Sequence, residues 1–320
     1  MFDICCAGIA TWDTLFSGVP SDLLSIDGDT AKGYHEGPGG DAVNASVSLA
    51  RLGLRTAVCV CTGCDSAADS LEAVLKKEGV NTEGLFRNKS CHTASPVILI
   101  DESGDRHILR VPHNGNTFFT ADMIPAHILG NSRHLHIASV NMIPGLDGKP
   151  LADLFAEAHS LGMTTSMDAS VDRQGEWISK VRDALMNCDI FIPSIQEARA
   201  YAGTDDIAGI TDFFRQFPLK YFGIKLGAQG LYLTDFSSEY RIPSLYKGIP
   251  ADTTGAGDAL FAGFLAAWLR GYDLYSCGLM GSAQAASVMR QIGACAGAGT
   301  WADAVQMIEK AGGKLLPAVK

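Results

Sequence analysis

Short apolar runs alternate along most of this chain with segments whose apolar residues recur every three or four positions. Runs of the first kind predict buried strands, and the second kind predicts helices with one face against a core. Residues 1–9, 56–62, 134–139, 164–168, 190–193 and 221–226 read as strands. Residues 40–52, 67–78, 151–161, 258–269, 276–289 and 302–310 read as helices. In the first helix Val43, Val47, Leu49, Ala50 and Leu52 supply the apolar face. Gly79 and Gly162 stand where the second and third helices should stop. Such alternation predicts an α/β fold with a mainly parallel sheet flanked by helices.

Two segments break the alternation. Residues 13–37 are polar and rich in turn formers. In 91–116, strand-like runs at 95–100 and 106–111 flank Glu102-Ser-Gly-Asp105, a hairpin signal. Within it Arg106 and Arg110 share one face, and His107 and Leu109 the other. The two inserts together predict a small β layer beside the main sheet, set as a lid over a cleft. No linker, repeat or low-complexity segment separates the pieces.

The chain has 320 residues, 47% hydrophobic and 19% charged, enough for one large core. A net charge of −10 argues against a nucleic-acid or anionic-membrane partner. Phe2-Asp-Ile-Cys-Cys-Ala-Gly-Ile9 lacks a basic leader and reads as a strand rather than a signal peptide. The longest strongly apolar stretch, 259–269, is too short to span a bilayer. Nine cysteines, mostly inside apolar runs, fit a reduced, cytoplasmic protein. Cys59-Val-Cys61-Thr-Gly-Cys64 has metal-like spacing, but no fourth ligand is near in sequence, and a buried strand is the better reading.

The most telling segment is Asp252-Thr-Thr-Gly-Ala-Gly-Asp258. The apolar positions behind it make it a helix N-terminus, where unpaired N–H groups and the helix dipole attract anions. Gly255 and Gly257 leave room for a phosphate against the backbone. Asp258 puts a proton acceptor beside that anion site. Phosphoryl transfer needs such a cradle, a metal for the phosphate charge, and a way to deprotonate the attacking hydroxyl. A second glycine turn, Gly39-Gly40-Asp41-Ala-Val-Asn44, opens the first helix, and the Asn44 amide there suits a polyhydroxy ligand. Walker and Rossmann glycine patterns are absent.

The two motifs together resemble the paired signatures of the ribokinase-like (PfkB-type) carbohydrate kinases. Asp252 to Asp258 matches the C-terminal signature in full. Gly39, Gly40 and Asn44 with the Leu49-Ala-Arg-Leu-Gly53 ending match the N-terminal one. Weaker marks are Gly63-Cys-Asp65, the hairpin, Asp168 at a strand end, and Lys225-Leu-Gly227 with Gly230. The resemblance covers essentially the whole chain. It implies a three-layer α/β/α sandwich with a mainly parallel central sheet and a small β-sheet lid. The core would comprise 1–12, 38–90 and 117–320, and the lid 13–37 and 91–116.

The resemblance also implies roles. Asp258 would be the general base. The backbone of Gly255, Ala256 and Gly257 would form an anion hole. Asp13, Gly39, Gly40 and Asn44 would hold sugar hydroxyls. Lys225, Gly227, Gly230 and Thr254 would lie along ATP. Glu197 and Asp252 would serve metals: magnesium, and in some members potassium near Asp252, the Thr254 carbonyl and residues 293–297. Lid pairing implies a homodimer. The chain departs from the family where Ser194-Ile-Gln-Glu197 and Asp168-Ala-Ser170 each lack an expected asparagine, and where His136-Ile-Ala-Ser-Val-Asn141 lacks a sugar-binding glutamate, which argues against ribose.

The leading expectation is an ATP-dependent kinase for a primary hydroxyl of a small sugar or sugar acid. The alternative is a nucleoside kinase using Tyr34, Phe118 and Phe119 around a base; a kinase of phosphorylated sugars, or a silent sensor, follows behind. His35, His92, His107 and His113 fall near the lid and read mainly as exposed or structurally satisfied. An arginine of the hairpin pointing into the cleft would favour an acidic sugar.

Overall fold

Burial alternates along the central strands and sets out three layers. In β1 (Ile4–Ala7), Cys5 and Ala7 enter one apolar layer, while Ile4 and Cys6 enter the opposite one. In the fourth strand Ala57, Cys59 and Cys61 join the first layer, and Val58 and Val60 pack on the other face. Period-two alternation between two buried faces is what a parallel sheet covered by helices requires. The structure, a computed structural model, describes residues 1–102 and 106–318. The predicted hairpin tip at Ser103, Gly104 and Asp105 lies outside the described residues.

The remaining strands are β2 (Thr11–Val19), β3 (Gly33–Gly39), β4 (Thr56–Thr62), β5 (Asn81–Arg87), β6 (Val97–Asp101), β7 (Arg106–Leu109), β8 (His134–Val140), β9 (Thr164–Ala169), β10 (Ile190–Phe191), β11 (Tyr221–Lys225), β12 (Leu231–Thr234) and β13 (Glu239–Ile242). The helices are α1 (Asp41–Arg51), α2 (Ser66–Lys77), α3 (Gly115–Phe118), α4 (Ala126–Leu129), α5 (Lys149–Ser160), α6 (Ile178–Leu185), α7 (Ile195–Ala202), α8 (Ile207–Phe214), α9 (Ala256–Trp268), α10 (Leu274–Val288) and α11 (Trp301–Lys310). The large sheet runs β13-β12-β11-β10-β9-β8-β1-β4-β5, and a small sheet runs β3-β2-β6-β7. From β5 to β11 all pairings are parallel; β12 and β13 add an antiparallel edge.

The chain places β4 and β5 on one side of β1, then returns to lay β8 on the other. This reversal makes a crevice at the carboxyl ends of the strands, the place where open α/β sheets bind ligands. The residues after β1, β8, β9 and β11 all reach it. Helices α9 and α10 are buried nearly all round, as helices in the middle of a layer must be.

Three strands lie outside the predicted set. β5 is one sheet edge, with only Gly84 buried, β13 is the opposite edge, and β12 beside it is buried but only four residues long. The polar stretch 13–37 carries most of β2 and β3, whose side chains are only half-buried. Cys59 and Cys61 lie in the sheet's apolar layer, with the Cys5 and Cys59 sulfurs 3.6 Å apart, while Cys64 is exposed beyond the strand. Asp65 caps α2 through Ala68 N and also accepts from the Thr93 backbone N–H at 2.8 Å and hydroxyl at 2.6 Å. That carboxylate ties the core to the segment entering β6. Among the described residues no helix is long and apolar enough to cross a membrane.

Candidate active site

The turn before α9 is closed by Asp252. One carboxylate oxygen accepts from the Thr254 N–H (2.9 Å) and hydroxyl (2.7 Å), and the other from Gly293 N–H (3.1 Å). Gly255 sits at φ +75°, and a Cβ there would lie 2.0 Å from the Ala294 carbonyl oxygen. Only glycine satisfies both conditions. The Ala256 N–H turns back to Thr253 O at 3.2 Å. The N–H groups of Gly257 and Asp258 stand at the next two helical positions, where no intrahelical acceptor exists. Lys225 Nζ is 3.4 Å from where a Cβ on Gly257 would be, so an ammonium adjoins the open helix end.

Asp258 is half-buried in the first turn of α9, and its Oδ2 accepts from Asn44 Nδ2 at 2.8 Å. Burial, then the carboxyls of Asp41 and Asp168, push its pKa well above the carboxylate range. Asp41 is raised for the same first reason, although the Ser139 hydroxyl donates to it. Asp168 is pushed up to about 7 by burial, with Lys225 pulling the other way through bonds of 2.6 and 2.7 Å. Burial draws the Lys225 pKa down, but Asp168 and Glu197 outweigh it and the ammonium is stabilised. Lys225 is therefore a paired, largely buried cation and not a solvated strand end. Four carboxyl groups share its one charge.

Ser139 reaches Asp41 because β8 ends irregularly. Its register with β9 shifts between Ile137 and Val140, and Ser139 and Asn141 take φ of +67° and +80°. Left-handed backbone at non-glycine residues costs energy and tends to gather at functional sites.

The acceptor side of the cleft holds buried oxygens without hydrogen-bond partners among the described residues: Thr11 Oγ1, Asp13 Oδ1 and Asn44 Oδ1, with Asn141 Oδ1 further along. An unsatisfied buried polar atom costs about 1–3 kcal/mol, so a group of them is a site shaped for hydroxyl donors. Gly39 forms the floor, since a Cβ there would lie 2.1 Å from Asp13 Oδ2 and 2.6 Å from Thr11 Oγ1. Gly40, at φ +89°, starts α1 and so aims Asn44 at Asp258. Burial, aided by Asp41 and Asp252, raises the Asp13 pKa to about 6.

Across the turn lies a cavity of about 380 Å³, lined among others by Lys225, Gly227, Gly230, Tyr246, Thr253 and Leu260. Thr254 faces the other way, into a narrow space with Asp13, His35 and Gly293. His35 thus reaches the cleft, while His92, His107 and His113 are exposed. Glu197 caps α7: its carboxylate accepts from Ser194 N–H at 2.7 Å, and Ser194 Oγ accepts from Glu197 N–H. The serine standing in place of asparagine is an N-cap.

Sequence reasoning singled out no role for Thr11, Asp41, Ser139 or Asn141. Asp41 was legible inside the glycine motif; the others are ordinary polar residues at strand ends. Arg51 was also missed. Its Nη1 donates to the carbonyls of Cys295, Ala296 and Ala298 at 2.9–3.2 Å, and its Nε and Nη2 clamp Glu78. It holds the loop whose Ala294 carbonyl fits over Gly255. Lysine cannot reproduce this fork. Arg51→Lys is expected to cost about 1–3 kcal/mol in denaturant unfolding and to raise KM for ATP several-fold. An unchanged midpoint and KM would remove Arg51 from this role.

A family model described as pfkB family carbohydrate kinase matches residues 1–301. An uncharacterized sugar kinase of Archaeoglobus fulgidus is 28% identical over 248 residues, covering 78% of this chain and 96% of its own. A nucleoside kinase of Methanocaldococcus jannaschii is 25% identical, covering 97% of this chain and 98% of its own. A putative ribokinase II from E. coli, in complex with ATP and Mg2+, shares the fold with a TM-score of 0.82 at 20% identity, covering 97% of this chain and 100% of that one. The chain belongs to the pfkB family of carbohydrate kinases. It is a phosphotransferase with an alcohol group as acceptor.

Proposed function

We propose that this chain transfers the γ-phosphoryl group of ATP to a primary hydroxyl of a small sugar or sugar acid. One observation carries the reading. Asp258, held by Asn44, stands at an open helix N-terminus between the 380 Å³ cavity and a cleft of unpartnered oxygens. ATP would occupy the cavity, with its phosphates against the Gly255–Gly257 backbone and beside Lys225. The sugar would give hydroxyl protons to Thr11, Asp13 and Asn44. As the acceptor oxygen bonds to the γ-phosphorus, the bond from phosphorus to the β-bridging oxygen breaks. The hydroxyl proton passes to Asp258, and ADP leaves. Charge growing on the transferred group meets the N–H groups and dipole of α9.

Among the described residues no three acidic, histidine or cysteine side chains gather closely enough to hold a metal by themselves, so a divalent cation would enter with the ATP phosphates. Glu197, with Asp168 near Lys225, would face magnesium, which neutralises phosphate charge when bound. Both oxygens of Asp252 already accept hydrogen bonds, so in this proposal Asp252 is a clip for the turn and no step involves potassium. The small sheet acts as a lid, since β2 and β3 carry Thr11, Asp13 and His35 into the cleft; closure excludes water from the phosphates. Tyr34 and Leu109 are exposed on that sheet, which supports pairing of two copies through it.

The nucleoside reading has less support. Phe119 is fully buried in the core, Phe118 packs against it, and Tyr34 leans on Phe16 in the small sheet. None of them lines the acceptor cleft. An ADP-release assay across fructose, ribose, 2-keto-3-deoxygluconate and nucleosides tests the proposal. Turnover is expected with a sugar or sugar acid; activity confined to nucleosides would overturn it.

A further inference from the structure

The chain passes between the core and the small sheet at a crowded joint, where three of its passages are bonded together. Trp12 N–H donates to Ala94 O at 2.9 Å, and Gly115 N–H to His92 O at 2.9 Å. Asn116 and Ala10 exchange two hydrogen bonds, of 2.9 and 3.1 Å. The turn after β4 closes the group. Gly63 N–H donates to Thr93 Oγ1 at 3.1 Å, and Asp65 accepts from the same threonine's N–H and hydroxyl. Backbone lies directly on backbone. A Cβ on Gly63 would lie 2.6 Å from Thr93 N and 2.8 Å from Cys91 O, and one on Gly115 would lie 2.2 Å from Cys61 O.

Three thiols border this joint. Cys61 and Cys91 both direct their sulfurs at the Thr62 carbonyl, at 4.0 and 3.8 Å. Cys64 follows Gly63 and is the one exposed cysteine of nine, all of which lie within the described residues. Cys91 stands at the rim of the surface, 9% exposed, and Cys61 is sealed at 1%. Burial pushes the Cys61 thiol up to about 12 and raises that of Cys91, and Cys64 is near enough to act on both by its charge. The accessible thiol is therefore Cys64, with a second thiol across Gly63 from it. Neither sulfur has a part in the phosphotransfer. The Cys5 and Cys59 pair, 3.6 Å apart, is sealed in the core.

We propose that Cys64 and Cys91 form a peroxide-sensitive modification site, whose disulfide staples the lid joint and slows the enzyme. Hydrogen peroxide oxidises the exposed thiol first: the Cys64 sulfur takes one oxygen, the O–O bond breaks, and water leaves. The Cys91 sulfur then attacks the sulfenic acid. The S–S bond forms, the S–O bond breaks, and hydroxide departs with the Cys91 proton as water. Two thiols and one peroxide thus give one disulfide and two waters. A dithiol reverses the step by exchange, so in a reducing compartment the bridge lasts only while peroxide does. The bridge ties the core turn at Cys64 to the strap that enters β6, and closure of the small sheet turns on that strap. Its effect on turnover rests on the lid reading above; the bond itself does not.

The test treats wild type, Cys64→Ser and Cys91→Ser with a few equivalents of hydrogen peroxide and maps disulfides by peptide mass spectrometry, before and after dithiothreitol. A Cys64–Cys91 bridge is expected in wild type alone. With the acceptor of the panel above that releases most ADP, the bridge should lower kcat about fivefold or more, and dithiothreitol should restore it. Both variants should keep their rates under peroxide. Cys64→Ser changes an exposed side chain, so its result stands even if Cys91→Ser folds poorly. Hydrogen exchange over 91–96 and 111–116 should slow about fivefold or more in the bridged protein. A Cys61–Cys91 or Cys5–Cys59 bridge instead, oxidation that stops at Cys64 alone, or a bridge that leaves kcat unchanged overturns the proposal. A Cys64–Cys91 bridge with slowed exchange, in a protein that releases no ADP with any acceptor, sustains the modification site and sinks the phosphotransfer reading.

Discussion

Asp258→Asn is expected to lower kcat by about 10²–10⁴-fold, the usual contribution of a positioned general base, while ATP affinity by calorimetry stays within about twofold. The substitution keeps an oxygen that can accept from Asn44, so the 2.8 Å bond and the start of α9 should persist. What disappears is the group that, in the proposed reaction, takes the hydroxyl proton. The same change should stabilise the fold near neutral pH. The folded chain holds the Asp258 proton well above the ordinary carboxylate value of 3.8. Below that value both states are protonated and nothing is lost. As pH rises through it, the unfolded chain releases the proton first, and stability falls until the folded pKa is passed. Asp13 and Asp168, raised to about 6 and about 7, act in the same direction between 3.8 and those values. The variant should therefore melt above wild type at pH 7, with the gap closing toward pH 4. A variant with the wild-type rate would remove Asp258 from the chemistry, and one melting lower at pH 7 would contradict the upward shift assigned to its carboxyl group.

Gly255→Ala should damage both stability and turnover. The left-handed backbone at φ +75° costs a side chain about 1–3 kcal/mol. A Cβ placed 2.0 Å from the Ala294 carbonyl adds an overlap with backbone that Arg51 and Asp252 hold in place. Either the turn or the 293–299 loop must move, and the N–H donors at the head of α9 move with it. Loss of one such donor set lowers kcat about 10²–10³-fold. Gly203→Ala is the control. Gly203 ends α7 at φ +69° with open space around it, so that variant should lose stability from the backbone alone and keep its rate. If Gly255→Ala matched it in both measurements, the close approach to Ala294 would have no catalytic consequence.

Local patterns in the sequence carried much of the architecture. Strands 56–62 and 164–168 and the helices at 40–52 and 258–269 were readable because burial on one or both faces imposes a short period on composition. Strands β5 and β13 were not readable, because an edge strand needs no continuous apolar run, and β12 was missed because its buried run is only four residues long. The polar 13–37 insert hid two strands for a similar reason: its sheet is half-exposed, and β2 pairs not only with β3 but with β6, far along the chain.

The site divides along the same line. The Asp252–Asp258 turn and the Gly39–Asn44 turn were legible because an anion cradle must place glycines and carboxylates next to one another. Asn44 and Asp258 are 214 positions apart, and nothing local says that they touch. Nor does anything local crowd Asp41, Asp168, Glu197 and Asp258 around Lys225, or aim Thr254 toward Asp13 instead of the 380 Å³ cavity. Those facts depend on which strands are neighbours and how loops end at their carboxyl edge. Short-range periodicity and turn chemistry are written residue by residue. Distances between distant side chains, and the shifts in charge that follow from them, exist only once the sheet has assembled.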